Sequence, residues 1–194
     1  MIIFDCEILR AVPGRDGVRE PGIEYCGGWR DFAGMGLACI GVYDYAEDIY
    51  RVFLRDNYSD FQKLVDSSDW ICGFNNIQFD YPLCAANGIV VSEEKSYDLL
   101  REIWAGAGFG PEFDSRTHAG FGLEACCLAN FNLGKSGNGA LAPVQWQRGE
   151  YGAVIDYCLR DVWLTKKLLD QVLDVRKIWD PRDPEREILV KRPI

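Results

Sequence analysis

The chain has 194 residues, 48% of them hydrophobic and 26% charged, enough for one globular domain with a full core and too few for two. Its 21 basic and 30 acidic residues leave a net charge of −9, which argues against broad electrostatic attraction to nucleic acid unless bound cations or a local basic cluster reverse the field. No run approaches the ~20 apolar residues of a membrane span, the N-terminus lacks a signal-peptide layout, and the eight cysteines form no CxxC pair. These features lead to the expectation of a cytoplasmic protein with no membrane partner, no disulfide framework and no zinc site.

Met1 to Leu9 reads as a central strand, with branched and aromatic residues and no turn former. Alternation puts Asp5 and Glu7 on one face and Phe4, Cys6 and Ile8 on the other. Two buried carboxylates a pleat apart are unfavourable without a shared cation, so a divalent metal is expected there. Residues 10–32 are rich in Gly, Pro and charge and read as a long excursion or hairpin extension. Two strands follow, Gly36 to Tyr45 and Ile49 to Leu54, around a polar turn at 46–48.

"SDFQKLVDSS" predicts a helix with Ser59 or Asp60 near its N-cap and Phe61, Leu64 and Val65 on one face. A brief strand at Trp70 to Phe74 leads to a helix from about Phe79, with Pro82 in its first turn and Asn87-Gly88 as its stop. A strand at Lys95 to Leu99 runs into a helix to about Ala105, with Asp98 as its cap. Ala105 to Thr117 is a glycine-rich and mobile loop, "GLEACCLANFNLG" is helical, and "SGNGALAP" is a loop. A long helix spans Tyr151 to about Val175, and 176–194 is left as a weakly basic C-terminal tail. Strands first, then strands alternating with helices, predict an α/β fold with a mixed sheet flanked by helices.

Two further acidic positions stand out. Asp80 opens a helix after "GFNNIQF", where capping alone would explain an acid. In "YCLRD", Tyr157 and Asp161 lie four apart and share a helix face. Taken with "DCE" on the first strand, the ordered set resembles the DEDD superfamily of 3′-to-5′ exonucleases over nearly the whole chain. A tyrosine stands four residues before the last acid, and Asp156 occupies the place of the other branch's histidine, so the match is to the tyrosine branch.

The resemblance implies an RNase H-like five-stranded mixed sheet over residues 1–175 with an insertion at 10–32. It implies that Asp5, Glu7, Asp80 and Asp161 bind two divalent ions, and hard oxygen ligands favour Mg²⁺ or Mn²⁺. Asp5 would bridge the ions and Tyr157, a weak base at its ordinary pKa of about 10, would orient the attacking water. Asn76, Phe79 and Ile8 would contact the terminal nucleotide, Ile8 standing where the family commonly has Thr. For Trp146 and Gln147 a place in the groove competes with a buried position, the commoner one for tryptophan, and the sole histidine, His118, is read as a loop residue.

The expected activity is hydrolysis from 3′ ends of single-stranded DNA or RNA to nucleoside 5′-monophosphates, in repair, RNA processing or proofreading beside a polymerase partner. The alternative is a catalytically silent nucleic-acid-binding or polymerase-docking module.

Overall fold

The computed structural model describes residues 1–134, 137 and 139–193. Its main sheet has five strands: β1 (Ile2–Ile8), β2 (Leu37–Asp44), β3 (Ile49–Phe53), β4 (Ile71–Gly73) and β5 (Ser96–Asp98), in the order β3-β2-β1-β4-β5. The β1–β2 and β2–β3 pairs are antiparallel, whereas β4 and β5 run parallel to β1. This is the mixed, helix-flanked sheet expected from the sequence, and the fold is RNase H-like.

Helices cover both faces. Phe4, Cys6 and Ile8 join the core beneath α2 (Tyr58–Ser67) and α3 (Asp80–Ala86), with Phe61, Val65, Leu83 and Cys84. Ile3 and Tyr43 face the other way, toward α4 (Leu99–Ala107), α5 (Leu123–Phe131) and the long α7 (Tyr151–Val175). Helix α7 runs directly over β1 and β2. That approach depends on Gly41, the β2 partner of Asp5, because a Cβ there would stand 2.9 Å from Cys158 Sγ and 3.3 Å from Val162 Cγ2.

Several boundaries differ from the sequence reading. Helix α2 begins after Asn57, whose side chain accepts from Leu54 N, so Ser59 and Asp60 lie inside the first turn. The excursion forms no hairpin. It is irregular, with one isolated bridge between Ala11 and Tyr25, and ends in the short helix α1 (Phe32–Met35) capped by Asp31. Helix α4 extends to Ala107 before Gly108 stops it in a left-handed conformation. A further helix, α6 (Ala142–Gln147), takes up the end of "SGNGALAP"; Ser136 and Asn138 of that stretch lie outside the described residues.

The largest addition is at the C-terminus, read from sequence as a tail. Residues 177–189 form a hairpin, β6 (Lys177–Asp180) and β7 (Asp183–Leu189), that buries Ile178 and Ile188 against α4, α5 and α7. Gly106 lets it close, since a Cβ there would collide with the Leu189 carbonyl oxygen. This glycine therefore serves packing. All eight cysteines are buried as free thiols, and no helix among the described residues is long and apolar enough to cross a membrane.

Candidate active site

The site lies where the sheet opens. β4 pairs with β1 only through Ile2 and Ile3, so the C-terminal half of β1 leaves backbone groups facing the gap between two parallel strands. Such crevices beyond the strand ends are where open α/β sheets bind ligands. Here α3 closes the gap with an acid. Asp80 Oδ1 accepts from the backbone N–H of Cys6 at 2.9 Å, where a strand partner would otherwise be. Asp80 is thus more than a helix cap: it is a buried carboxylate in the plane of the sheet.

Asp5 and Glu7 project from β1 toward α7, as the alternation predicts. Glu7 is buried and Asp5 half-buried. Ligand atoms of Asp5, Glu7 and Cys158 all lie within 4.8 Å of one another, close enough together that the group could hold a metal ion. From α7, Tyr157 and the buried Asp161 complete the set. Asp5, Glu7, Asp80, Tyr157 and Asp161 all line one cavity of about 190 Å³, with Ile8, Asn75 and Phe79 at its rim. The cavity shares Asp5, Trp29, Phe74, Asn75, Phe79 and Asp161 with a larger cleft of about 1170 Å³.

The electrostatics favour a cation. Burial and the neighbouring negative charge of Asp5 push the Asp80 carboxyl well above the ordinary carboxylate range, against the opposing hydrogen bond from Cys6. Cys158 could not be anticipated from spacing as a member of this group. Its thiol is pushed up by a hydrogen bond with Cys39 and by burial, and it donates to the Asp5 carbonyl oxygen at 3.4 Å. The other potential ligands in the cavity, Asp5, Glu7, Asp80 and Asp161, offer carboxylate oxygens. That chemistry fits a hard divalent cation such as Mg²⁺ or Mn²⁺.

Supporting residues hold the constellation. Asp98 caps α4 through Leu100 N and Arg101 N, as expected, and its carboxylate also accepts from Asn75 N and Ile77 N. It thereby fixes the turn between β4 and α3. Asn75 adopts a left-handed conformation (φ 66°) in that turn and lines the cavity. Asn76 does not. Its side chain is fully buried, donating to Tyr81 Oη at 3.2 Å and accepting from Ile77 N, because Gly73 leaves it room against the strand end. Around the Tyr157 ring, Gly137 and Gly139 keep space: a Cβ at Gly139 would stand 3.3 Å from the hydroxyl.

Trp146 and Gln147 do not line the cavity, in keeping with the buried alternative for the tryptophan. Trp146 packs on Tyr151 at 4.8 Å and on the core between α6 and α7. Gln147 ties down the excursion, donating to the Leu9 and Glu24 carbonyls and accepting from Glu24 N. His118 is in a loop but buried: Nδ1 accepts from Asp114 N at 3.1 Å, which leaves Nε2 to donate to the Gly110 carbonyl at 2.9 Å. It organises the 108–122 loop rather than standing exposed. Trp29 lines both the cavity and the larger cleft, a placement of which the glycine-rich excursion carries no local sign.

No family model matches this chain, and no curated protein does. Among solved structures, it is similar to the family B DNA polymerase from the hyperthermophilic archaeon Pyrobaculum calidifontis, at 18% identity and a TM-score of 0.59. The match covers 89% of this chain and 24% of that polymerase, so the likeness concerns the fold of one region within a much longer protein.

Proposed function

We propose that this chain is a metal-dependent 3′-to-5′ exonuclease of the tyrosine branch of the DEDD superfamily, releasing nucleoside 5′-monophosphates from single-stranded DNA or RNA. The observation that carries this reading is the convergence of Asp5, Glu7, Asp80, Asp161 and Tyr157, from β1, α3 and α7, on one cavity. The fold likeness to part of a DNA polymerase supports it and makes a polymerase a reasonable partner.

In this reading Asp5, Glu7, Asp80 and Asp161 would hold the divalent ions between them. Two such ions, when bound, supply Lewis acidity to the attacking water and the leaving 3′ oxygen and offset the negative field that would repel a phosphodiester. The chain's own contribution is position. Asp80 is braced by the Cys6 N–H, so its carboxylate keeps its orientation as ligands come and go. Tyr157 donates a hydrogen bond that aims the water in line with the scissile bond. Phe79, at the rim, packs against the terminal base or sugar, and Ile8 offers an apolar contact on the other side.

The test is a gel time course on 5′-labelled single-stranded DNA and RNA of one sequence, with Mn²⁺ and with EDTA, for wild type and Asp5→Ala. A ladder shrinking from the 3′ end, dependent on Mn²⁺ and absent in the variant, is expected. Intact strands together with no metal uptake by calorimetry would sink the proposal in favour of a silent docking module.

A further inference from the structure

The cleft leading to the carboxylates is rich in aromatic rings and nearly devoid of positive charge. Two loops distant in sequence each place an exposed ring in it: Trp29 of the excursion, 66% exposed, and Phe113 of the 108–122 loop, 56% exposed. Both are braced from behind. Trp29 leans on Phe79, with centroids 6.4 Å apart, and Phe113 on Trp104 at 6.2 Å. Large apolar rings left open to water beside a functional cavity mark a contact surface. Among the described residues, Arg30 is the sole Arg or Lys lining the cleft and none lines the carboxylate cavity.

A nucleic-acid grip made of phosphate contacts needs several cations and weakens steeply with salt. A grip made of stacked bases needs neither, since every base has a π-face. We propose, building on the exonuclease reading above, that Trp29 and Phe113 hold an unpaired 3′ end by stacking on its bases, with Arg30 as the single phosphate contact. Binding is then nearly insensitive to salt and requires bases free of a duplex. This reconciles a chain of charge −9 with a polyanionic substrate: affinity comes from ring faces, and charge neutralisation is confined to the catalytic ions.

The experiment measures KM and kcat on single-stranded DNA with Mn²⁺ between 50 and 200 mM KCl, for wild type, Trp29→Ala, Trp29→Phe and Phe113→Ala. Thermal melting checks that each variant folds. Each alanine variant should raise KM by roughly five- to a hundredfold with a smaller change in kcat, and Trp29→Phe should recover most of the loss. A strand ending in an abasic site should bind wild type as poorly as the ordinary strand binds Trp29→Ala, with no further loss in that variant. One phosphate contact predicts a slope of log KM against log salt of about 0.7.

Wild-type cleavage with KM unmoved in both alanine variants, or with a slope of about 3 or more as several phosphate contacts would give, overturns the stacking grip and leaves the exonuclease reading intact. No wild-type cleavage counts against the exonuclease reading instead. Fluorescence anisotropy of the same uncleaved strand then decides the grip: salt-insensitive binding lost in Trp29→Ala supports it, and absence of binding overturns it.

Discussion

The carboxylate seam and the C-terminal hairpin are built from similar material and behave oppositely as signals. Both bury acids: Glu7, Asp80 and Asp161, with Asp5 half-buried beside them, in the seam, and Asp180 in the hairpin. Asp180 is answered inside the chain, accepting from Arg182 N and facing the guanidinium groups of Arg182 and Arg186. The seam gathers four acids in one cavity whose lining contains no Arg or Lys among the described residues. A buried acid with its own arginines is structure. Four acids converging from β1, α3 and α7 on one cavity make a cluster of oxygen donors suited to a cation.

That contrast can be broken by substitution. The largest effect belongs to Asp161→Asn, which keeps the volume and removes one charge: nuclease activity should fall by about a hundred- to a thousandfold, the scale of losing a group that stabilises transition-state charge. Its melting temperature without metal should hold or rise, because repulsion in the seam is relieved. A fall in melting temperature with activity retained would mean that the seam is ordinary structure.

The hairpin should respond the other way. Ile178→Ala deletes a fully buried side chain from the core between α4, α5 and α7, and should cost about 2–5 kcal/mol in urea unfolding with little change in activity per folded molecule. Between these extremes lies Gly41→Val, which pushes α7 off β2. Overpacking should cost about 1–3 kcal/mol and lower kcat as well, since Tyr157 and Asp161 ride on the displaced helix.

The smallest effect is a pH signature of Asp80. Its pKa is raised in the folded protein, so without metal the native state binds more protons than the unfolded chain above the ordinary carboxylate value. Stability from this group is therefore greatest at acid pH and lost as pH rises through the raised pKa. Urea midpoints in EDTA should show a decline from pH 5 to pH 8 that is smaller in Asp80→Asn, and Mn²⁺ should restore the wild-type midpoint at pH 8. Equal declines in both proteins would show that Asp80 does not carry the effect.

Legibility in the sequence followed chemical improbability. A strand such as Ile2–Ile8 with acids at alternate positions, or an Asn-x-x-Phe-Asp turn into a helix, is hard to explain by packing, and these stretches announced the seam. The hairpin was harder to see because its strands are charged and mostly exposed, with only Ile178, Ile188 and Val190 buried as core. The Asp180-Pro181-Arg182-Asp183 turn was its one local sign. Asn76 and Asn75 could not be told apart either, because a single backbone conformation, left-handed at Asn75, decides which of two adjacent amides meets the cavity.

Local sequence determined the strand order's raw material, the long helix Tyr151–Val175, and the identity of the acids, since periodicity and buried charge are properties of short stretches. Tertiary structure alone decided what those acids meet: Cys158 beneath Asp5, the Cys6 N–H on Asp80, and the rings of Trp29 and Phe113 in one cleft. These contacts join residues from separate strands, helices and loops. Their geometry depends on how closely α7 can approach the sheet and where the loops come to rest, which no window of sequence contains.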